Sequence, residues 1–169
     1  MSASTPHSAA RTEVEHLERE LVATKKRLRE ARAALPPEPV PNHVLRLAPS
    51  GVPVALSDLF AGRNELLVIH NMGRGCRWCT LWADGLSGLH THLASRAGVV
   101  LTTPDEPAIA GAFAASRGWT FPVASTAGTS FARDLGMASE RGVIPGVSAL
   151  WKDDAGAIFR TSGARRFGP

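Results

Sequence analysis

The strongest constraint on the fold is a change of pattern between residues 65 and 82. The run ELLVIHNM (65–72) is continuously apolar at its centre, which is typical of a strand buried inside a sheet. The segment CRWC, from Cys76 to Cys79, follows it closely and is predicted to open a helix that continues to Leu93. A buried strand that leads directly into a helix predicts a sheet packed against helices.

The same alternation continues to the end of the chain. Strands are predicted at 43–47, 98–103 and 121–125, helices at 56–62, 105–118 and 128–135, and a final hairpin at 146–162. This order predicts an α/β domain with a mixed sheet over residues 43–162. We expect residues 163–169 to form a C-terminal tail.

A long amphipathic helix is predicted ahead of this domain, over residues 12–35. Its apolar stripe has the spacing of a coiled-coil seam, through Val14, Leu17, Leu21, Thr24, Leu28, Ala31 and Leu35. So short a seam is marginal alone, so the helix either packs on its own domain or forms a dimer arm with a second copy. Residues 1–11 are predicted to be disordered, and residues 36–42 to be a stiff, proline-rich linker.

Composition excludes several classes of function. The net charge of +4 comes from scattered arginines without a basic stripe, so we expect no nucleic-acid binding. No apolar run approaches the roughly 20 residues of a membrane span, and the N-terminus lacks the pattern of a secretory signal. We therefore expect a cytoplasmic protein without membrane contact. In that compartment a close cysteine pair is more often catalytic, redox-sensing or metal-binding than a structural disulfide.

The cysteine pair predicts dithiol chemistry without a bound cofactor. Cys76 at a helix start faces free backbone N–H groups and the positive end of the helix dipole, and Arg74 and Arg77 add positive charge; both effects favour its thiolate. Cys79 lies one helical turn later and can resolve a mixed disulfide formed at Cys76. The expected partner is a protein or small-molecule disulfide or thiol.

Neighbouring residues extend this hypothesis and leave alternatives open. His70 on the incoming strand is either a proton acceptor for the resolving thiol or a packed strand residue. Trp78 is either hydrophobic packing or part of a partner-facing surface. His70 and Met72 together with the two cysteines also have the chemistry of a copper(I) site. Inert buried cysteines, or an interaction protein that works through residues 12–35, are further alternatives.

The order of motifs resembles the thioredoxin fold in its peroxiredoxin-like branch, over roughly residues 44–162. The resemblance is carried by LSDLFAGRNELLVIHNM and CRWC, then by VVLTTPDEPAIAGAFAASRGWTFPVAS and GTSFARDLGM, and last by GVSALWKDDAGAIF. The segments CxxCxxWADG, GWTFPVAS and FARDLGM are similar to a bacterial family of thioredoxin-like proteins with no established reaction. The resemblance implies a strand before the active cysteine and a Ser/Thr-x-Asp-x-Pro turn after the next strand.

Departures from the pattern limit what the resemblance implies. HNMGRGC lacks the Pro and the Thr/Ser that peroxiredoxins place shortly before their reactive cysteine, and IPGVSAL lacks their pocket arginine, so we expect no efficient peroxidase. Pro145 lies near the place of the partner-facing cis-proline of thioredoxins, which makes a cis bond there a hypothesis. The chain also lacks the final helix of thioredoxins, and we expect the N-terminal helix to cover that face of the sheet.

Overall fold

A computed structural model describes residues 6–165, with the side chains of residues 8–165. The chain divides into two units, with the boundary between Pro36 and Pro37. The first unit contains one helix, α1 (Pro6–Ala33). None of the helices within residues 6–165 is long and apolar enough to cross a membrane.

Helix α1 confirms a long N-terminal helix but begins earlier than predicted. Residues 6–11 are helical, so their predicted disorder is wrong; the run SAAR (8–11) contains good helix formers. The predicted disorder of residues 1–5 lies outside the described residues. The helix ends at Ala33 because prolines at 36 and 37 disfavour helical backbone just before them. What covers the apolar stripe of α1 stays a prediction, as does the dimer arm.

The second unit contains an α/β fold. Within the described residues its strands are β1 (Glu38–Val40), β2 (Val44–Leu47), β3 (Pro53–Ala55), β4 (Glu65–His70), β5 (Gly98–Thr103), β6 (Val123–Ser125), β7 (Ala138–Ser139), β8 (Gly142–Val143), β9 (Gly146–Lys152) and β10 (Ile158–Arg165). Its helices are α2 (Arg77–Arg96), α3 (Pro107–Arg117) and α4 (Phe131–Asp134), and a 3₁₀ turn spans Leu56–Phe60. The helix predicted over 128–135 is therefore reduced to one turn.

Eight strands form one mixed sheet in the order β1-β10-β9-β4-β5-β6-β2-β3, within the described part of the chain. Strands β4, β5 and β6 are parallel at its centre, and the flanking pairs are antiparallel. Strands β7 and β8 form a separate small hairpin. The mixed sheet and its flanking helices confirm the predicted fold class.

Both ends of this unit differ from the prediction. The predicted linker over 36–42 contains β1, which pairs antiparallel with β10 through Val40 and Ile158. An edge strand tolerates Pro39 because only one of its sides bonds to a neighbour. Residues 163–165 belong to β10 and are no tail, because they continue the ladder with β9. The predicted tail at 166–169 lies outside the described residues.

Apolar clusters form on the two faces of the sheet. One cluster includes Phe60, Val68, Phe131 and Leu150 and joins the 3₁₀ turn and α4 to the strands. The other includes Ile69, Leu101 and Ala110 and joins α2 and α3 to the strands. Alternate residues of β4 therefore supply both clusters, which explains why its sequence is continuously apolar. Burying both faces at its centre holds the end of β4, and with it the loop to α2, in a defined place.

Candidate active site

Cys76 is the residue that caps the N-terminus of α2. Its backbone is extended, with φ −88° and ψ 100°, and its sulfur accepts a hydrogen bond from the backbone N–H of Cys79 at 3.2 Å. The backbone N–H and the hydroxyl of Thr80 each donate to the carbonyl of Cys76 at 3.0 Å. The sulfur of Cys76 therefore lies at the positive end of the helix, as the sequence predicts, with a donor aimed at it.

Cys79 occupies a different environment from Cys76. It is 7% exposed, whereas Cys76 is partly exposed, and both thiols are free. Burial, together with a hydrogen bond to the side chain of Cys76, raises the pKa of the Cys79 thiol from 9.0 to about 12. Cys79 therefore stays protonated at neutral pH. The two sulfurs differ in exposure and in the hydrogen bonds they make, which is the asymmetry that a nucleophile and a resolving thiol require.

The loop between β4 and Cys76 is held by two side-chain oxygens. The amide oxygen of Asn71 accepts a hydrogen bond from the backbone N–H of Gly73 at 2.7 Å, and a carboxylate oxygen of Asp105 accepts one from the N–H of Arg74 at 2.7 Å. Gly73 has a φ of +104°, which favours glycine, and a Cβ there would lie 3.2 Å from Asp105. The hydroxyl of Thr103 donates to the same carboxylate at 3.1 Å. The contacts of Asp105 therefore tie the loop that carries Cys76 to the end of the neighbouring strand β5.

A cavity of about 370 Å³ opens beside the cysteines. Its lining, within the described residues, consists of uncharged side chains: Ile69, His70, Asn71, Met72, Cys76, Trp78, Cys79, Leu81, Trp82 and Pro145. The structure thus brings together His70, Met72, Trp78, Pro145 and both cysteines. Trp78 is 54% exposed and lines this cavity, and its predicted partner-facing role stays a prediction.

Pro145 reaches the cavity without a cis bond. The cis peptide bond among the described residues is Ala48–Pro49, so the hypothesis of a cis bond before Pro145 is wrong. Trans is the favoured isomer of an X–Pro bond by about 0.5–1 kcal/mol. Pro145 lies in the short segment between β8 and β9.

His70 lines the cavity but is a weak base. Its ring is 2% exposed, and Nε2 lies 2.9 Å from the hydroxyl of Ser148. Among the described residues Nδ1 has no hydrogen-bond partner. Burial, and to a lesser degree the charge of Arg160, lowers the pKa of His70 from 6.5 to about 4. The imidazole is therefore neutral at pH 7 and packs beside the ring of Phe131. Its role as a proton acceptor stays a prediction.

Arg74 and Arg77 lie outside the cysteine cavity. They line a separate surface cavity of about 400 Å³ together with Asp84 and Arg117. The guanidinium of Arg77 lies 4.8 Å from the centre of the Trp78 ring. Arg117 is paired with Asp84 and lowers the pKa of that carboxyl. The stabilisation of a Cys76 thiolate by the two predicted arginines stays a prediction.

The predicted copper(I) site would need His70 as a ligand beside the two cysteines. Within residues 8–165 no three His, Cys, Asp or Glu side chains come together as a metal-binding group, so His70 does not join both cysteines in one. Its Nε2 is engaged by Ser148 instead. Met72 and the cysteines line one cavity, but a soft-metal site there lacks the predicted fourth ligand.

Three residues of this site were not predicted from the sequence as individual contributors: Asn71, Asp105 and Ser148. The turn TPDEP holds the Thr-x-Asp-x-Pro pattern that the family resemblance implies, and this signal locates Asp105. No local pattern identifies Ser148, because its contact with His70 joins residues that are far apart in the chain.

The sequence and the fold both have counterparts among known proteins. A family model described as "Bacterial protein of unknown function (DUF899)" matches residues 1–168. No curated protein matches the sequence. Peroxiredoxin Q from Xanthomonas campestris is 17% identical, with a TM-score of 0.66 over 81% of this chain and 89% of that chain. Peroxidoxin BcpB from Mycobacterium tuberculosis is 20% identical, with a TM-score of 0.59 over 74% and 84%. The two structural similarities confirm the predicted thioredoxin-like fold, which this chain shares with these peroxiredoxins.

Proposed function

Because this chain belongs to the DUF899 family of bacterial proteins of unknown function, we propose its activity from the site itself. The proposed activity is thiol–disulfide exchange, in which Cys76 attacks a disulfide and Cys79 resolves the product. The observation that carries the proposal is the hydrogen bond from the Cys79 N–H to the Cys76 sulfur, 3.2 Å long, at the start of α2. This bond and the end of the helix dipole both stabilise negative charge on that sulfur.

The first step joins the protein to its substrate. The thiolate of Cys76 attacks one sulfur of a disulfide, an S–S bond forms between them, and the substrate's own S–S bond breaks. The second substrate sulfur leaves as a thiolate and takes up a proton. Partial exposure of Cys76 at the mouth of the cavity gives the incoming disulfide access to its sulfur.

The second step releases the substrate. Cys79 loses its proton and attacks the sulfur of Cys76, which breaks the mixed disulfide and forms the Cys76–Cys79 disulfide. The released sulfur leaves as a thiolate and is protonated. The two cysteines are oxidised by two electrons, and the substrate disulfide is reduced to two thiols. The two substrate thiolates take up one proton released by Cys79 and one from water. His70 does not retain the proton, because its pKa is about 4.

The cavity favours a disulfide over a peroxide as the substrate. Its lining, within the described residues, contains neither a threonine nor an arginine that would donate to a peroxide beside Cys76. The hydroxyl of Thr80 donates a hydrogen bond to the carbonyl of Cys76 and does not line the cavity. Peroxide reduction is therefore the second candidate, favoured only by the shared fold with peroxiredoxins.

Single-turnover kinetics test the proposal. Prereduced protein is mixed with 2-hydroxyethyl disulfide or with hydrogen peroxide, and intact mass is followed with time. We expect Cys79→Ser to accumulate a mixed disulfide at Cys76, the wild type to end as an intramolecular disulfide, and Cys76→Ser to react slowly. Reaction with peroxide alone, or equal reactivity of the two single-cysteine variants, would refute the proposal.

A further inference from the structure

The cavity beside Cys76 exposes apolar side chains to solvent. Met72 is 42% exposed, Trp78 54% and Leu81 61%, and all three line the cavity. Solvent-exposed large apolar residues that cluster around one concave site mark a place where a ligand is bound. Cys76, the proposed nucleophile, lines the same cavity, so these exposed apolar side chains surround the proposed reaction site.

Charge is excluded from this cavity although cations are close in sequence. Apart from the Cys76 thiolate of the proposed reaction, none of its lining side chains among the described residues carries a charge at pH 7, since His70 is neutral. Arg74 and Arg77 flank Cys76 in the chain but line the neighbouring cavity with Asp84, and the Arg77 guanidinium lies against Trp78 without lining the cysteine cavity itself. A carboxylate group on a substrate would therefore lose hydration in this cavity without gaining an ion pair with a lining side chain.

The size of the cavity suits a small molecule. A volume of about 370 Å³ lies within the range of pockets that enclose small ligands, roughly 300–1,000 Å³. The concave space has room for a disulfide and its two short substituents, with one sulfur placed at Cys76. The walls contact those substituents through aliphatic, aromatic and thioether groups, which favour apolar surface.

Resting on the proposed exchange activity, we infer that the substrate of this site is a small, uncharged disulfide with apolar alkyl or aryl substituents. In its reduction Cys76 forms an S–S bond with one substrate sulfur and displaces the other as a thiol. Cys79 then displaces the bound half as the second thiol. The dithiol of the protein supplies both electrons, so a single turnover requires no further reductant.

A series of alkyl disulfides tests this substrate class. Prereduced wild-type protein reacts in single turnover with dimethyl, diethyl and dipropyl disulfide, with 2-hydroxyethyl disulfide and with dithiodiglycolate. Each rate is divided by that of the same disulfide with dithiothreitol, which removes differences in intrinsic reactivity. We expect each newly buried methylene to raise the normalised rate about fourfold, which corresponds to ~0.8 kcal/mol. Dithiodiglycolate is expected to react at least about tenfold more slowly than dipropyl disulfide.

Two leucines of α2 provide a matched pair of variants. Leu81 lines the cavity, whereas Leu89 is similarly exposed, at 55%, and lies outside the lining. We expect Leu81→Gln to lower the ratio of the normalised rate with dipropyl disulfide to that with dithiodiglycolate about fivefold. Leu89→Gln should change neither rate. Met72→Gln repeats the test at a second wall residue.

The outcomes separate the two proposals. If no disulfide reacts with Cys76 faster than with a free thiol, the proposed exchange activity fails. If disulfides react but the normalised rate is independent of alkyl length, or dithiodiglycolate is preferred, the exchange activity stands and the apolar substrate class is wrong. Equal effects of Leu81→Gln and Leu89→Gln would also overturn the assignment to this cavity.

Discussion

The buried imidazole of His70 predicts a loss of stability in mild acid. In the folded protein its ring is 2% exposed and is surrounded by Phe131 and the hydroxyl of Ser148. In the unfolded chain the same ring is hydrated and titrates at its ordinary pKa of 6.5. Lowering the pH therefore protonates the unfolded chain first and draws the equilibrium towards it.

The magnitude follows from the two pKa values, 6.5 unfolded and about 4 folded. Between these values the unfolded state binds more protons, so the free energy of unfolding rises with pH. The full contribution is present above pH 6.5 and is lost as the pH falls to 4. One pKa unit corresponds to 1.36 kcal/mol, so the loss amounts to about 3 kcal/mol at pH 4. This is a large fraction of the stability of a typical domain, about 5–15 kcal/mol.

Urea unfolding at several pH values between 4 and 7.5 measures this loss. Carboxylates titrate in the same range, so the variant His70→Gln is needed to isolate the imidazole. We expect the variant to be less stable at pH 7.5 and its deficit to shrink by about 3 kcal/mol at pH 4. His92→Gln, at an exposed position of α2, should follow the wild-type profile. A deficit of His70→Gln that is constant across the range would refute a buried, neutral His70.

Three further predictions concern the cysteines, the packing of α3 and the loop before Cys76. In Cys76→Ser, alkylation of Cys79 at pH 8 should be slower than that of a thiol of pKa 9.0, because burial, the larger cause of its raised pKa, remains, and the rate should rise about tenfold per pH unit; a rate like that of a free thiol would contradict its burial. Gly111→Ala should destabilise by about 1–3 kcal/mol in urea unfolding, because its Cβ would lie 2.3 Å from that of Pro49. A Cβ added at Gly88 would meet no described atom within 4 Å, so Gly88→Ala should instead stabilise the protein by up to about 1 kcal/mol. Equal effects of Gly111→Ala and Gly88→Ala on stability would refute the close contact at Gly111. Asp105→Ala should slow the reaction of Cys76 with 2-hydroxyethyl disulfide, while the free energy of unfolding, measured with urea, falls by only about 1–3 kcal/mol. An unchanged rate would show that the carboxylate does not position the cysteine.

The order of strands and helices around the cysteines was predictable from local patterns. The apolar run that forms β4, the helix that begins after Cys76 and the final hairpin all carry their signals within a few residues. Period, capping residues and turn residues act over such short distances, so they are visible in a single sequence. The strand β1 was not predictable in this way, because its partner β10 lies more than a hundred residues away.

Some features of the candidate site follow from local sequence, and others depend on contacts between distant segments. The position of the two cysteines, and the different roles proposed for them, follow from CRWC at a helix start, which is a local feature. For Arg74 and Arg77 the sequence predicted only positive charge near Cys76, and the effect of that charge on its thiolate stays a prediction. In the fold Arg74 and Arg77 line a different cavity, because successive side chains around a helix start point in different directions.

By itself the sequence determined the thioredoxin-like order of elements and the position of the dithiol at the start of α2. Only the tertiary structure decided the environment of that dithiol. Burial makes His70 neutral, and the cavity wall combines residues of β4, the following loop, α2 and the segment before β9. The reason is that hydrophobic period and helix capping are properties of neighbouring residues, whereas desolvation and the shape of a cavity depend on segments that meet only when the chain folds.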